Sequence, residues 1–238
     1  MDQALDAIVV GSVDLGEADR IVRLLSAVEG RVSVVARGAR SSRRRFAGVT
    51  ELGTQVQVVR GRGRGLVPAI AMERVDGPNR ARSDLDRIAL LAYGCELCAS
   101  LAPEGAPAER LYLLLVHWLS RLEDEPLPDD ACRVALEAKA LTFAGLCPAL
   151  LRCACCGEPL TDPVVFDAEA GGGQHARCGG GRPVRAEALQ QIDVLRRTPL
   201  VDCRGLPLVP EVRWLCADFA QHQLGRALTS RAWFASLG

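Results

Sequence analysis

GRVSVVARGARSSRRRF, residues Gly30–Phe46, is the stretch from which the rest of the chain reads. Val32–Val35 is a short apolar, β-branched run, and behind it come Arg37, Arg40, Arg43, Arg44 and Arg45 with no acid between Arg31 and Arg45. A buried strand therefore hands over to a solvated cationic loop. A second basic hairpin follows at VVRGRGRGL (Val58–Leu66), where glycines permit a tight turn. Arg60, Arg62 and Arg64 cannot be buried beside one another there. Two such patches on one small β-domain predict a surface for polyphosphate, most simply nucleic acid.

Working outward, residues 1–79 read as β. Five candidate strands, Leu5–Val13, Arg20–Ala27, Arg31–Arg37, Thr54–Arg60 and Leu66–Val75, are short, β-branched and separated by Gly-containing turns. The longest break follows the third strand and holds the basic loop plus FAGVTEL (Phe46–Leu52), long enough for one helical turn. Five strands with the longest insertion after the third is the order of an OB-fold barrel, a fold that often binds single strands. An SH3-like barrel has a similar pattern.

After Asp76–Asn79 the hydrophobic period changes from two to about 3.6. Ser83 with Asp86 approximates a capping box for a helix over Asp84–Leu101. Pro107 suits the first turn of a second helix, in which Leu111, Leu115, Trp118 and Leu122 share a face. A third begins near Asp129–Asp130 and presents Leu136, Ala140, Phe143 and Cys147, with Pro148 near its end. Further helices are expected at Ala186–Arg197, Pro210–Gly225 and Arg226–Leu237. The fold class is thus α+β: an OB-fold barrel over residues 1–79, then a helical domain over 80–238 with an insertion at about 150–182.

That insertion carries LLRCACCGEP and GGGQHARCGGG, placing Cys153 and Cys156, eighteen residues, then His175 and Cys178. This C-x2-C and H-x2-C arrangement has the two-knuckle spacing of a structural zinc site. Thiolates two residues apart on a turn chelate one ion, and four ligands leave no open position for water. Cys155 is the alternative fourth ligand to His175. Zinc would hold together a Gly-rich segment with little hydrophobic burial of its own, and DPVVFD (Asp162–Asp167) between the pairs reads as a ribbon strand. Cys95 and Cys98 also form C-x-x-C, but in a leucine-rich helix, where free cysteine packs as a small hydrophobe; Cys132, Cys147, Cys203 and Cys216 read alike.

The formal charge is zero, yet Arg20–Arg74 holds twelve arginines against Glu29, Glu51 and Glu73. That local asymmetry says more than the neutral average. Of 29 basic residues only Lys139 is lysine, which fits either an arginine-biased genome or selection for bidentate phosphate contacts. The N-terminus has no basic start, and no run of 18 apolar residues occurs, so neither a secretory signal nor a membrane span is expected. Ten cysteines without a signal argue for reduced thiols, and a cytoplasmic location follows. His117 and His222 read as partly buried helix residues. GRGRG (Gly61–Gly65) lacks the G-K-S/T of a phosphate loop and leads into a strand. Asp14, Glu17 and Asp19 read as flanking a turn. No catalytic constellation emerges, and no enzyme is expected.

Val9-Val10 through LGEADRIVRLL (Leu15–Leu25), then GRVSVVARGAR (Gly30–Arg40), then the C-x-x-C-G knuckle, together resemble the bacterial RecO family of recombination mediators over essentially the whole chain. Arg37 stands where lysine is common in that family, which keeps the charge. His175 stands where cysteine is common in zinc-bearing members, which leaves the ligand chemistry intact; some members lack the knuckle. The resemblance implies a non-enzymatic, nucleoid-associated DNA-repair role: binding single- and double-stranded DNA, annealing complementary strands, partnering RecR, contacting single-strand DNA-binding protein and helping to load RecA at gaps. No small-molecule substrate is implied. Two other classes fit the basic patch, a protein-interaction adaptor that meets an acidic partner and an RNA-binding OB protein.

In residues 1–80 the only aromatic is Phe46. Binding is therefore expected to rest on phosphate neutralisation by Arg37, Arg40, Arg43–Arg45 and the Arg60–Arg64 hairpin rather than on base stacking.

Overall fold

The computed structural model describes residues 4–41, 46, 48–63 and 65–235. Arg43, Arg44, Arg45 and Arg64 lie outside the described residues. The chain divides into two compact units, Met1–Glu125 with Thr229–Gly238, and Pro126–Leu228.

In the first unit, β1 (Leu5–Leu15), β2 (Asp19–Ser26), β3 (Gly30–Ala36), β4 (Gln55–Arg60) and β5 (Val67–Asp76) close into a barrel of order β1-β2-β3-β5-β4. The strands pair antiparallel except β3 with β5, which are parallel. This is the OB arrangement. The alternation expected of a half-buried strand is present: Ala7, Val9, Val22, Leu24, Val34, Ala36, Val56, Val58, Ala69 and Met72 point inward and are buried. Phe46 plugs the same core at 3 % exposure. The Phe46–Leu52 stretch forms turns, with no helix among its described residues; burying Phe46 and Val49 fixes it without helical hydrogen bonds.

Ile8 and Leu25, directly opposite each other, face outward yet are fully buried, because α1 (Leu85–Leu101) packs on β1 and α2 (Glu109–Glu123) on β2. The cap of α1 is Asp84, whose side chain accepts from the Arg87 N–H, rather than Ser83; Ser83 instead donates to the Arg80 carbonyl, within the short 3-10 turn before the helix. Leu111, Leu115, Trp118 and Leu122 line one buried face of α2, as expected. The same unit contains α6 (Arg231–Ala235). The Glu96 carboxylate of α1 accepts from the backbone N–H and hydroxyl of both Thr229 and Ser230, at 2.5–3.0 Å, and so anchors the start of that last turn.

The second unit holds α3 (Asp130–Phe143), α4 (Ala186–Arg197), α5 (Val212–Leu224) and a three-stranded ribbon, β6 (Val164–Asp167), β7 (Gly172–His175) and β8 (Arg182–Val184), in the order β7-β6-β8. α3 is capped by Asp129 and is buried around almost its whole circumference. It ends at Phe143, so Cys147 lies beyond it and is exposed, unlike the core cysteines Cys95, Cys98, Cys132, Cys203 and Cys216. His117 and His222 are also exposed rather than partly buried, each on the polar side of its helix. No helix among the described residues is long and apolar enough to cross a membrane.

Candidate nucleic-acid interface and metal centre

The basic loop after β3 is held in a definite place. The Gly38 N–H donates to Asp19 Oδ1 at 2.9 Å and the Arg40 N–H to the Ala18 carbonyl at 3.0 Å, so the loop is pinned to the β1–β2 hairpin. The Asp14–Glu17–Asp19 group thus flanks a turn, as expected, and two of its acids build the loop's seat. Asp14 takes Arg20 Nε at 3.0 Å and Arg40 Nε at 3.4 Å; Arg40 Nη1 also donates to the Gly16 carbonyl. Arg37 is exposed, with no carboxylate partner among the described residues.

The second basic hairpin, between β4 and β5, sits elsewhere. Because Val34 and Val35 run parallel to Val67 and Pro68, the turn before Val67 falls beside the beginning of β3, whereas the Arg37–Arg40 loop leaves its end. The strand between them spans about 20 Å at ~3.3 Å per residue. The fold therefore sets Arg37 and Arg40 at the opposite end of β3 from Arg60 and Arg62. Arg60 is held by Glu29 through two hydrogen bonds. Arg62 is exposed. This end opens into a cavity of about 970 Å³ lined by Arg60, Arg62, Glu29, Asp6, Ser26 and Tyr112. Tyr112 comes from α2, and nothing in its local sequence signals a place beside the barrel hairpin. GRGRG is a strand-to-strand turn, consistent with its lack of a phosphate-loop signature.

Sequence periodicity also missed Arg23, which is exposed on the outer face of β2 opposite Ser33 of β3. Arg31 contributes less to an open surface, since Nη2 lies 3.4 Å from Glu104 and its N–H donates to the Pro103 carbonyl.

In the second unit, one ligand atom each from Cys153, Cys156, His175 and Cys178 lies within 4.8 Å of all the others. A tetrahedral zinc with ordinary bond lengths needs S···S edges of about 3.8 Å and S···N edges of about 3.6 Å. His175 Nδ1 stands 3.5 Å from Cys156 Sγ and 4.0 Å from Cys178 Sγ, so the donor set fits that ion. His175 Nε2 is 3.0 Å from the Pro159 carbonyl. A carbonyl only accepts, so the proton belongs on Nε2 and Nδ1 is left bare toward the thiols. Cys155 is exposed and outside the group.

Local structure explains the convergence. Gly157, at φ +75°, closes the first knuckle with its N–H donating to the Cys153 carbonyl. The β6–β7 pairing places His175 opposite Val164, and the Cys178 N–H turns back to the His175 carbonyl. Burial opposes the Cys153 thiolate, but backbone donors at Cys156, His175 and Cys155 outweigh it and bring the thiol down to about 6. Cys178 is pushed up to about 11 by burial and by the thiols of Cys156 and Cys153. One thiolate forms readily while the next is opposed, an opposition that a bound divalent cation removes. Cys95 differs entirely: full burial pushes its thiol up to about 12 in an apolar helix.

The family models described as "Recombination protein O N terminal" and "Recombination protein O C terminal" match residues 1–76 and 82–232. The chain belongs to the RecO family. It is 40 % identical to the "DNA repair protein RecO" of Anaeromyxobacter dehalogenans strain 2CP-1, covering 100 % of this chain and 98 % of that protein. It is 36 % identical to the protein of the same name from Myxococcus xanthus, covering 98 % and 97 %. The two RecO matches meet near residue 79, where strands give way to helices, while the first compact unit also takes in α1 and α2.

Proposed function

We propose that this RecO-family chain is a DNA-repair and recombination mediator that binds single- and double-stranded DNA mainly through phosphate contacts. It promotes annealing of complementary strands and, with RecR, helps to load RecA at gaps coated by single-strand DNA-binding protein. The observation that carries the reading is the seat of the basic loop: Asp19 and Ala18 pin its backbone while leaving the Arg37 side chain in solvent.

Arg37, with Arg43, Arg44 and Arg45 following in sequence, forms the main phosphate contact, and Arg40, shared with Asp14 at 3.4 Å, a partial one. Arg23 extends it along β2. Arg62, with Arg64 two residues on in sequence, forms a second, weaker contact; Arg60, at the far end of β3, is already neutralised by Glu29. Cationic side chains on one barrel screen the repulsion between two strands brought together, which is the physical requirement of annealing. Structural zinc at Cys153, Cys156, His175 and Cys178 closes the ribbon; its four-ligand set leaves no position for a reacting water. The residues give no basis for an enzymatic step.

With about five phosphates engaged, log K falls against log salt with a slope near −4.5 on duplex and near −3.5 on single strands. A polarisation titration of oligonucleotides over a salt series tests this. A salt-insensitive or absent interaction favours the adaptor reading, and preference for RNA in competition favours the RNA-binding one.

A further inference from the structure

The cavity beside the β4–β5 hairpin has walls of two kinds. It opens between the first residues of β1, the β2–β3 turn, the hairpin and α2, all within the first compact unit. Val28, 64 % exposed on the β2–β3 turn, and Tyr112 of α2 form its apolar side. Asp6 and Arg62 also line it, and both are exposed. At about 970 Å³ it falls at the upper end of the range that small-ligand sites occupy.

The place of Tyr112 is fixed. The Ala108 N–H donates to the Ala27 carbonyl at 2.9 Å, which ties the start of α2 to the β2–β3 turn. One helical turn on, the Tyr112 N–H donates to the Ala108 carbonyl. Leu111 and Leu115 are buried, and they set the rotation of the helix. Residues 1–125 hold four aromatic side chains; Phe46, Tyr93 and Trp118 are buried, and Tyr112 is half-buried. Tyr112 is therefore the ring of that stretch that a ligand can reach. Burial first, and the Asp6 carboxylate second, raise the Tyr112 phenol above its ordinary value, so it stays neutral. Asp6 Oδ1 accepts from the Gln57 amide at 3.1 Å, and Oδ2 has no donor among the described residues.

We propose that this cavity holds one unpaired nucleotide, its base against Tyr112 and Val28, its phosphate on Arg62 and an amino group of the base on Asp6. This rests on the DNA-binding reading above and deepens it, because it gives the molecule one position that reads a base. A tyrosine ring offers a stacking face to any base, and the Val28 side chain closes on the apolar side. The Asp6 carboxylate discriminates. It accepts from the N4 amino group of cytosine, whereas the O4 of thymine is itself an acceptor. Cytosine is thus preferred to thymine. In a duplex the base faces are stacked on one another and only their edges reach the grooves, so the cavity takes its base from a single strand. The ring comes from α2, outside the barrel, and the five strands supply none of their own on the surface.

The test compares oligo-dT, an oligonucleotide of alternating dT and dC and a duplex, all of equal length, by polarisation at pH 8 and one salt concentration. The parent protein is expected to bind the alternating strand about five-fold more tightly than oligo-dT, the low end of what a base-edge contact contributes. Asp6→Asn is expected to lose that preference. Tyr112→Ala is expected to lose about five-fold in single-strand affinity, the low end of what a stacked base contributes, with duplex affinity unchanged. Tyr112→Phe keeps the ring and should match the parent. Circular dichroism and thermal melts report whether each variant folds as the parent does. Equal binding of the two single strands by the parent, or a preference that survives in Asp6→Asn, overturns the assignment of Asp6 and with it the proposal. Single-strand affinity unchanged in folded Tyr112→Ala, equally weak in Tyr112→Phe, or falling together with duplex affinity overturns it as well, including in favour of a protein side chain as the occupant. If the parent protein binds neither form of DNA in a salt-dependent way, the DNA-binding reading itself fails, a different result from variants that match a binding parent.

Discussion

Arg60 and Glu29 meet as a bidentate pair, Nη1 2.8 Å from Oε2 and Nη2 2.5 Å from Oε1. The guanidinium that the sequence groups with its neighbours in a single basic hairpin is already matched by a planar carboxylate. Both side chains are only partly covered, 27 % and 36 % exposed, so the pair contributes modestly to stability, about 1 kcal/mol or less. Its larger effect is on charge available to a ligand. Glu29→Gln should release Arg60, raise affinity for duplex DNA and steepen the salt slope by about 1. Arg60→Ala should weaken binding less than Arg37→Ala. Titrations of the three variants across a salt series check both expectations.

The metal centre makes a prediction that separates neighbouring cysteines. Cys153→Ser and His175→Ala should abolish stoichiometric zinc, measured by a colorimetric chelator after unfolding, while Cys155→Ser should retain it. Chelation should open the two knuckle turns, around residues 151–159 and 176–182, to proteolysis, because these turns are largely exposed while Val164, Val165 and Phe166 of the ribbon are buried.

Much of this architecture was legible in the chain. β-Branched runs located all five barrel strands within about two residues, and the α4 boundaries coincide with the Ala186–Arg197 reading. Ligand spacing alone named Cys153, Cys156, His175 and Cys178, with Cys155 as the alternative to His175, and the four side chains converge. What escaped was pairing at a distance. Nothing local in VVRGRGRGL says that parallel β3–β5 pairing carries it to the far end of β3, or that Glu29 waits there. β7 was invisible because Gly172-Gly173-Gln174-His175 has no strand-forming residue; it is a strand by virtue of Val164–Asp167 beside it. The choice of His175 over Cys155 depends on the Pro159 carbonyl, which orients the ring from across the knuckle.

Gly30 is a second long-range constraint. It sits at φ +63°, and a Cβ there would lie 2.3 Å from the Pro103 carbonyl oxygen and 2.5 Å from that of Ala106. Both obstacles are backbone. Gly30→Ala should therefore cost about 2–4 kcal/mol, combining overpacking with a left-handed conformation. A urea melt of the variant should show a lower midpoint with an unchanged slope.

The Glu96 clamp predicts a pH response. Burial works to raise its pKa, but hydrogen bonds from Ser230 and Thr229 outweigh it and hold the carboxyl below its ordinary value. A depressed carboxylate stabilises the folded state fully above the unfolded value of about 4.3, and this is lost as pH falls through the lower folded value. Docking of the 229–235 segment should thus be constant from neutral pH to about 5 and loosen below about 4. Protease sensitivity of the C-terminus followed against pH should show this step in the parent protein and not in Glu96→Ala, which should be sensitive throughout.

The phosphate-contact account stands most directly on Arg37. Measured by polarisation over a salt series with several unrelated oligonucleotides, Arg37→Ala should lower affinity for all of them alike and flatten the slope of log K on log salt by about 1. Unchanged affinity and slope in a folded variant would contradict the account and place the DNA contact elsewhere on the molecule.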